Sequence, residues 1–414
     1  MLFISKRFDS SDLIRFMATL AFFLHPAWAR GQHIDQPIPY FAFSKGLSIT
    51  APDSGFSLSL RFRMQNRVGL QTDAWTSEAL GDAEYEAYVR RLRLRLDGFI
   101  LDPRFNYVVQ LSFSRSDMDW ENTQFPNVIR DAMFFYRPSK KWQIGLGQGK
   151  LPGNRQRIVS SGDMQMPDRS LFNSVFQIDR DYGLNFYYNN KIGNQPISLR
   201  ACVSGGNGRN IEKTDALAYS ARMEWYPLGA FTNGGDYFEG DLEREVRPKV
   251  SVATAFSYNT NATRTGGSIG KELYESRDIR SLFVDVLYKH QGWALAGEFA
   301  LRNTLAGLSP VTFSSQDTSQ TKPSLVYQGK GYNLDGSYVF RNRNSLVLRF
   351  SHIEPSTAIQ AYQKPTTYWG LGWGRYLKGH RLKWQTELGQ TLLNPSNTSM
   401  TSTWVWRFQI EAGI

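Results

Sequence analysis

From residue 55 onward, apolar and polar residues alternate one by one along most of the chain, and this alternation limits the possible folds more than any other feature. In the first such stretch Phe56, Leu58 and Leu60 begin one face and Phe62 and Met64 continue it, whereas serines and arginines occupy the other face. Strict alternation predicts β-strands with one apolar and one wet side. Both a soluble β-sandwich and a transmembrane barrel contain such strands.

The stretch RRLRLRLDG at residues 90–98 helps to orient the second predicted strand. Its apolar face carries Leu92, Leu94 and Leu96, and its polar face carries Arg91, Arg93 and Arg95. An arginine facing lipid at the bilayer midplane costs about 2–4 kcal/mol, so three of them would be prohibitive. In a membrane, the leucines must therefore face lipid and the arginines water.

The alternation predicts sixteen strands. After the strands in residues 56–64, 92–96 and 105–113, thirteen more are centred near Phe134, Ile144, Phe186, Leu199, Met223, Val252, Val284, Leu295, Leu334, Leu348, Leu371, Trp384 and Trp406. Most even-numbered connections are short, whereas the odd-numbered ones are longer and more polar. Short turns at one end and long loops at the other are typical of outer-membrane barrels. The connection after the eighth strand, at 227–248, is an exception because it is long.

Aromatic residues near the predicted short turns favour the membrane barrel over the sandwich. Those within a few residues of these turns are Tyr136, Trp142, Trp225, Tyr288, Trp293 and Tyr376. Tyrosine and tryptophan form such girdles at membrane interfaces. A sandwich would not explain sixteen strands with unequal ends. The sequence therefore predicts an all-β fold, a transmembrane antiparallel β-barrel of about 16 strands.

Residues 1–29 have the features of a secretory signal peptide. Three basic residues precede an apolar run at 16–24, and Ala27 and Ala29 form a small-x-small cleavage site. Cleavage after Gln32 is also possible, and a buried N-terminal helix is the alternative. The predicted organisation is a signal peptide at 1–29, an N-terminal segment without an assigned role at 30–54 and a barrel at 55–414.

Charge and cysteine content narrow the possible partners. The net charge of +11 falls to about +10 without the signal peptide and suggests an anionic partner. Export and the absence of a basic tail argue against nucleic acid. The single cysteine, Cys202, excludes an internal disulfide framework and argues against a structural zinc cluster. No metal or cofactor is expected.

Residues 151–181 form the longest stretch without alternation. They follow the fifth predicted strand, which makes them the third extracellular loop, and we expect this loop to fold into the bore and narrow it. Lys150, Arg155 and Arg157 lie near its start. A long structureless loop is unusual in a compact domain, but functional loops are the recognised exception.

Several stretches together resemble the phosphate-selective porin family, porins O and P. They are RRLRLRLDG, GLGQGKLPGNRQRIVSSGD, MPDRSLFNSVFQIDRDYGL, EWYPLGAF followed by YFEGDLEREVRPKVSV, and YLKGHRLKWQTE. The resemblance implies a sixteen-stranded barrel, usually trimeric, in a Gram-negative outer membrane. It also implies an inward-folded third extracellular loop and cationic side chains that guide anions to a constriction. Lys150 and Arg157 match family positions, whereas Gly162 stands where many members have a basic residue.

The candidate anion-binding residues are basic side chains on the predicted wet faces and at the start of the loop. They are Arg61, Arg63, Arg67, Arg91, Arg93, Arg95, Lys150, Arg155 and Arg157. For other scattered lumen arginines, ion pairs that brace the wall are the favoured interpretation.

The predicted function is an outer-membrane diffusion channel for small anions, phosphate-like by resemblance, assembled as a homotrimer among outer-membrane lipids. The alternative is a structural or surface-binding barrel with little conductance. Catalysis has little support, because no histidine is placed beside a serine and an acid as outer-membrane hydrolases require.

Overall fold

Sixteen antiparallel strands close into a barrel, and a further short strand joins the same sheet. The computed structural model describes residues 46–50, 55–73, 83–119, 126–211, 213–305, 307–314, 323–393 and 401–414. The first half contains β1 (Leu47–Thr50), β2 (Phe56–Thr72), β3 (Ala83–Ile100), β4 (Asp102–Ser112), β5 (Ile129–Tyr136), β6 (Trp142–Lys150), β7 (Arg180–Ile192), β8 (Gln195–Ser204) and β9 (Leu217–Trp225).

The second half contains β10 (Lys249–Arg264), β11 (Glu272–His290), β12 (Trp293–Thr304), β13 (Val311–Thr312), β14 (Ser324–Leu325), β15 (Gly329–Val339), β16 (Asn344–Pro355), β17 (Thr366–Tyr376), β18 (Leu382–Leu393) and β19 (Thr401–Gly413). Each barrel strand pairs with its neighbour in the chain, except that β12 pairs with β15 because β13 and β14 form a separate hairpin. The last strand, β19, pairs with β2 from Trp404 opposite Thr72 to Gly413 opposite Arg63. This pairing closes the ring, so the barrel wall satisfies its own backbone hydrogen bonds.

All sixteen predicted strands are confirmed, and their faces differ as the alternation predicts. On β9 Leu217, Tyr219 and Met223 are exposed, whereas Arg222 and Glu224 are buried on the opposite face. This buried polar face is the inner face of the barrel wall. The exposed apolar face is the one that a lipid environment would cover.

The predicted inequality of the two barrel ends is also confirmed. At one end the connections are short, at 101, 137–141, 193–194, 291–292, 340–343 and 377–381. At the other end they are longer, and the longest are 151–179 and 305–328. The connection between β9 and β10, at 226–248, is the long exception that the sequence predicted, and it contains a 3₁₀ segment at Thr232–Tyr237.

One aromatic residue of the predicted girdle is placed differently. Trp142, Trp225 and Trp293 are exposed at strand ends next to the short turns, as expected. Tyr376 is only 3% exposed and stacks edge-on against His380. Its neighbour Arg375 is exposed on the outer face, and side chains alternate along β17, so the side chain of Tyr376 lies on the inner face. The prediction for Tyr376 was therefore wrong.

The strand β1 lies within residues 30–54, for which the sequence analysis assigns no role. It pairs with β2 from Leu47 opposite Leu60 to Thr50 opposite Ser57, just beyond the point where β19 ends. Residues 1–45, and with them the predicted signal peptide, lie outside the described residues. Among the described residues, no helix is long and apolar enough to cross a membrane.

Candidate functional site

The segment 151–179 is buried along most of its length. It contains two short helices, α1 (Arg155–Ile158) and α2 (Leu171–Phe176). The side chain of Ser170 caps α2 by accepting a hydrogen bond from the Asn173 backbone N–H. Phe172 and Phe176 are fully buried in an apolar cluster that includes residues of the barrel wall. Apolar packing therefore fixes the second half of the segment.

Cationic side chains of the barrel wall bind the backbone carbonyls of this segment. The contacts run from Arg222 to Gly153 (3.0 Å), Lys150 to Ile158 (3.0 Å), Lys383 to Met164 (2.6 Å), Arg349 to Asp168 (2.8 Å) and Arg302 to Phe176 (2.9 Å). The donors come from β9, β6, β18, β16 and β12. Because hydrogen bonds from charged groups contribute about 1.5–3 kcal/mol each, these contacts hold the segment firmly to several parts of the wall.

The long connection 226–248 also contacts this segment. The backbone N–H of Glu239 donates to the carbonyl of Asp163 at 2.8 Å, and the carboxylate of Glu239 accepts from the Gln165 N–H at 2.8 Å. Arg155 donates to the Asp236 carbonyl at 3.1 Å. The sequence predicted the length of the connection but not this contact, because nothing in a local pattern specifies which distant loop a connection will touch.

A cavity of about 500 Å³ lies beside the segment and has a strongly basic lining. Nine arginines line it: Arg90, Arg91, Arg93, Arg130, Arg157, Arg169, Arg209, Arg349 and Arg407. Five carboxylates lie among them: Asp117, Asp119, Asp168, Asp179 and Glu387. The lining therefore carries more cationic than anionic side chains.

The structure divides the sequence-predicted residues into three groups. Arg91, Arg93 and Arg157 are among the cavity-lining residues. Arg61 and Arg95 both pair with Asp97 and are partly exposed, while Arg63 donates to Ser160 Oγ at 3.1 Å. The others bind other partners: Arg67 the half-buried Asp168 at 2.6 Å, Arg155 the buried Asp285 at 2.6 Å and Lys150 the Ile158 carbonyl at 3.0 Å.

Arginines keep two of the cavity carboxylates, Asp117 and Asp168, ionised. Arg93 Nε lies 2.5 Å and Arg130 Nη1 3.4 Å from the carboxylate of Asp117. Burial opposes ionisation of Asp117, but Arg130 and Arg93 hold the pKa of its carboxyl well below the usual range. Burial likewise raises the pKa of Asp168, but the positive charge of Arg90 lowers it, and this pKa also lies well below the usual range. The cavity therefore contains fixed charges of both signs, with cations in excess.

Sequence reasoning missed four cavity arginines, namely Arg90, Arg130, Arg169 and Arg209. For Arg90 the reason is a β-bulge, since β2 and β3 pair Gln65 with Arg91 but Asn66 with Val89. Strict alternation places Arg90 on the apolar face, whereas the bulge lets its guanidinium reach Asp168 at 3.2 Å. Arg169 and Arg209 lie in loops, where alternation predicts no direction.

Solved structures with the same fold are distant in sequence. The outer-membrane channel DcaP of Acinetobacter baumannii is 12% identical over 88% of this chain and 99% of its own, with a TM-score of 0.53. OprB of Pseudomonas putida is 11% identical over 87% and 95%, with a TM-score of 0.52. OmpT of Vibrio cholerae, in a trimer form, is 9% identical over 87% and 100%, with a TM-score of 0.50. These similarities show the fold alone.

Comparison by sequence gives a family match over part of the chain. No curated protein matches the chain significantly. The family model described as phosphate-selective porin O and P matches residues 60–237, which contain β3 to β9, the segment 151–179 and seven of the nine cavity arginines. A channel, and not an enzyme, is what this family and the closed barrel indicate. The chain is therefore a Gram-negative outer-membrane protein with the closed barrel of a channel, and its residues 60–237 match the phosphate-selective porin O and P family.

Proposed function

We propose that this porin is a diffusion channel for small anions, phosphate among them, and that the segment 151–179 lies in the bore and narrows it. The observation that carries the proposal is the cavity with nine arginines and five carboxylates. The contacts of the segment with inner-face side chains of β2, β9, β12, β16 and β18 support its place in the bore. Phosphate as the solute rests on the name of the matching family.

Arginine suits this task because its planar guanidinium offers several N–H donors to a phosphate and stays charged at any relevant pH. Conduction also requires that the anion can leave. The neighbouring carboxylates meet this need, since Asp117 already pairs with Arg93 and Arg130, and Asp168 pairs with Arg67 and Arg90. An entering anion competes with these carboxylates, which limits how tightly it is held.

Reversal potentials in planar bilayers test this function. Under a potassium chloride gradient we expect the sign that corresponds to chloride permeation, and we expect added phosphate to reduce the chloride current by competing for the same arginines. A reversal potential with the cation sign would contradict the proposal. A reversal potential with the anion sign, together with a current that added phosphate does not change, would restrict the proposal to general anion selectivity.

We further infer that residues 1–29 are removed on export and that three copies of the mature chain assemble. The first inference rests on the basic, apolar and small-x-small pattern at the N-terminus. The second rests on the similar OmpT structure, whose description names a trimer form. For the mature protein we expect no hydrolysis of lipid or peptide substrates.

A barrel with little conductance is the second candidate function. Two observations favour it: the hydrogen bonds between Glu239 and the segment residues Asp163 and Gln165, and the burial of most of the segment. If the segment 151–179 and the connection 226–248 together fill the bore, the barrel would act through its surface and not by conducting ions. Correctly folded protein that inserts into a bilayer without stable conductance would favour this second function.

A further inference from the structure

Gly162 and Arg63 are in close contact. A Cβ atom added at Gly162 would lie 2.0 Å from Nη1 and 2.3 Å from Cζ of Arg63, which is far too close for nonbonded atoms. The guanidinium of Arg63 therefore occupies the space that a side chain at position 162 would need. Nη2 of Arg63 donates to Ser160 Oγ at 3.1 Å, so the same guanidinium also binds the segment two residues earlier.

The segment cannot simply retreat from Arg63. Lys383 donates to the carbonyl of Gly162 at 2.9 Å and to that of Met164 at 2.6 Å, and Lys383 itself is only 1% exposed. Met164 is likewise 1% exposed. A side chain added at position 162 would thus displace the flexible end of Arg63, because the backbone on the other side is fixed.

Arg63 lies between two groups of cations. Across the β2–β3 pairing it is directly opposite Arg93, which lines the basic cavity, and two residues away on β2 is the partly exposed Arg61. The side chain of Arg63 is about a quarter exposed, and its nearest carboxylate, that of Glu411, is 3.6 Å from Nε. Among the described residues, its Nη1 is buried against Gly162 and has no hydrogen-bond partner, so the exposed part of the side chain lies elsewhere.

We propose that Arg63 is a specificity-determining residue of this channel and that glycine at position 162 is what allows its guanidinium to lie against the segment 151–179. This inference rests on the proposed function, anion conduction past the segment. Arg63 supplies a positive charge on a partly exposed side chain between the cavity and Arg61, where an anion leaving Arg93 needs a next partner. At position 162 the segment supplies no charge of its own. Its contribution is the absence of a side chain, which leaves room for the guanidinium of Arg63.

A double-mutant cycle tests the proposal, because Gly162→Ala moves the guanidinium without removing its charge, whereas Arg63→Gln removes the charge. Reversal potentials are measured in about 0.01 M salt, where the Debye length is about 30 Å and charge effects are large. We expect each single variant to lower the anion-to-cation permeability ratio severalfold. In the Arg63→Gln background, Gly162→Ala should cause no further change.

Two control variants separate this effect from general damage. Gly235→Ala adds a methyl group whose nearest neighbour is 3.7 Å away, and Arg104→Gln removes an exposed arginine from the short-turn end of β4. Neither should alter the permeability ratio. All variants should show the same heat-dependent gel migration as the wild type. Gly235 has room for a methyl group, Arg104 is partly exposed, and the group that Gly162→Ala displaces is the flexible end of Arg63.

The outcomes distinguish this inference from the function on which it rests. If the wild type does not prefer anions, the proposed function fails and this inference fails with it. If the wild type prefers anions but Gly162→Ala changes nothing, or acts equally strongly with Arg63→Gln present, only the inference about Arg63 and Gly162 is overturned.

Discussion

At the scale of single residues, the lumen arginines differ in what they bind. Arg302 donates to the carbonyls of Val175, Phe176 and Gln177 and is 1% exposed, so it holds the backbone. Arg93 pairs with Asp117 and lines the basic cavity. A carbonyl accepts a hydrogen bond without neutralising the cation, whereas a carboxylate neutralises it. The position of an arginine on the inner face therefore does not by itself assign it to transport.

Replacing Arg91, Arg93 and Arg95 together by glutamine tests the charge of the β3 wall. We expect a severalfold lower anion-to-cation permeability ratio in dilute salt and little change in about 1 M salt, where the Debye length is about 3 Å. The barrel should still fold, because glutamine preserves the alternation of β3. Reversal potentials over a range of salt concentrations measure the effect.

A folded triple variant with unchanged selectivity in dilute salt would show that these arginines serve Asp117 and Asp97 rather than the permeating ion. The exchange Arg104→Gln provides the control, since Arg104 lies at the short-turn end of β4 and is not among the residues that line the basic cavity.

At the scale of elements, the segment 151–179 is anchored to the wall rather than free to swing. Its carbonyls bind cations from five strands, its α2 packs in an apolar cluster, and the connection 226–248 hydrogen-bonds to its middle. An element held at so many points opens rarely. We therefore expect the segment to set the size of the passage as a fixed structure.

The exchange Arg302→Met tests this anchoring. Methionine fills much of the same volume but cannot donate to the Val175, Phe176 and Gln177 carbonyls. Because each lost charged hydrogen bond is worth about 1.5–3 kcal/mol, amide exchange in α2 should become at least about tenfold faster. Hydrogen exchange followed by mass spectrometry measures it.

The matched control is Lys330→Met, because Lys330 pairs with Glu354 on the exposed face of β15. It should leave exchange in α2 unchanged. Equal exchange in α2 of the wild type and of Arg302→Met would mean that apolar packing alone holds the segment.

At the scale of the whole molecule, alternation predicted the sixteen strands, because one face of each must be apolar and the other wet. The unequal connections and the aromatic residues near them then favoured a barrel over a sandwich. Alternation failed where that rule does not operate. The bulge at Arg90 breaks the alternation, and the contact between Glu239 and Gln165 joins two connections that have no periodicity. The cavity depends on such contacts, so only part of its lining could be predicted.

The proposed processing and assembly can be checked on the native protein in a single measurement. Native mass spectrometry from detergent should give three times the mass of a chain that begins at Arg30, because signal cleavage is expected after Ala29. A mass corresponding to one chain would contradict the trimer, and a subunit mass that retained residues 1–29 would contradict the cleavage.

The closing pair of β2 and β19 joins the two ends of the barrel sequence. Gln65 Nε2 reaches across 346 positions to the carboxylate of Glu411 at 2.8 Å, and it also binds the Ser161 carbonyl at 3.2 Å. Contacts of such high contact order form late, since the intervening chain must be brought together first. Until β19 pairs with β2, the incomplete sheet has two unpaired edges that can pair with other chains. Gln65 thus takes part both in closing the barrel and in binding the segment at Ser161. The barrel wall is therefore completed only when the whole chain is available, and not by any local folding step.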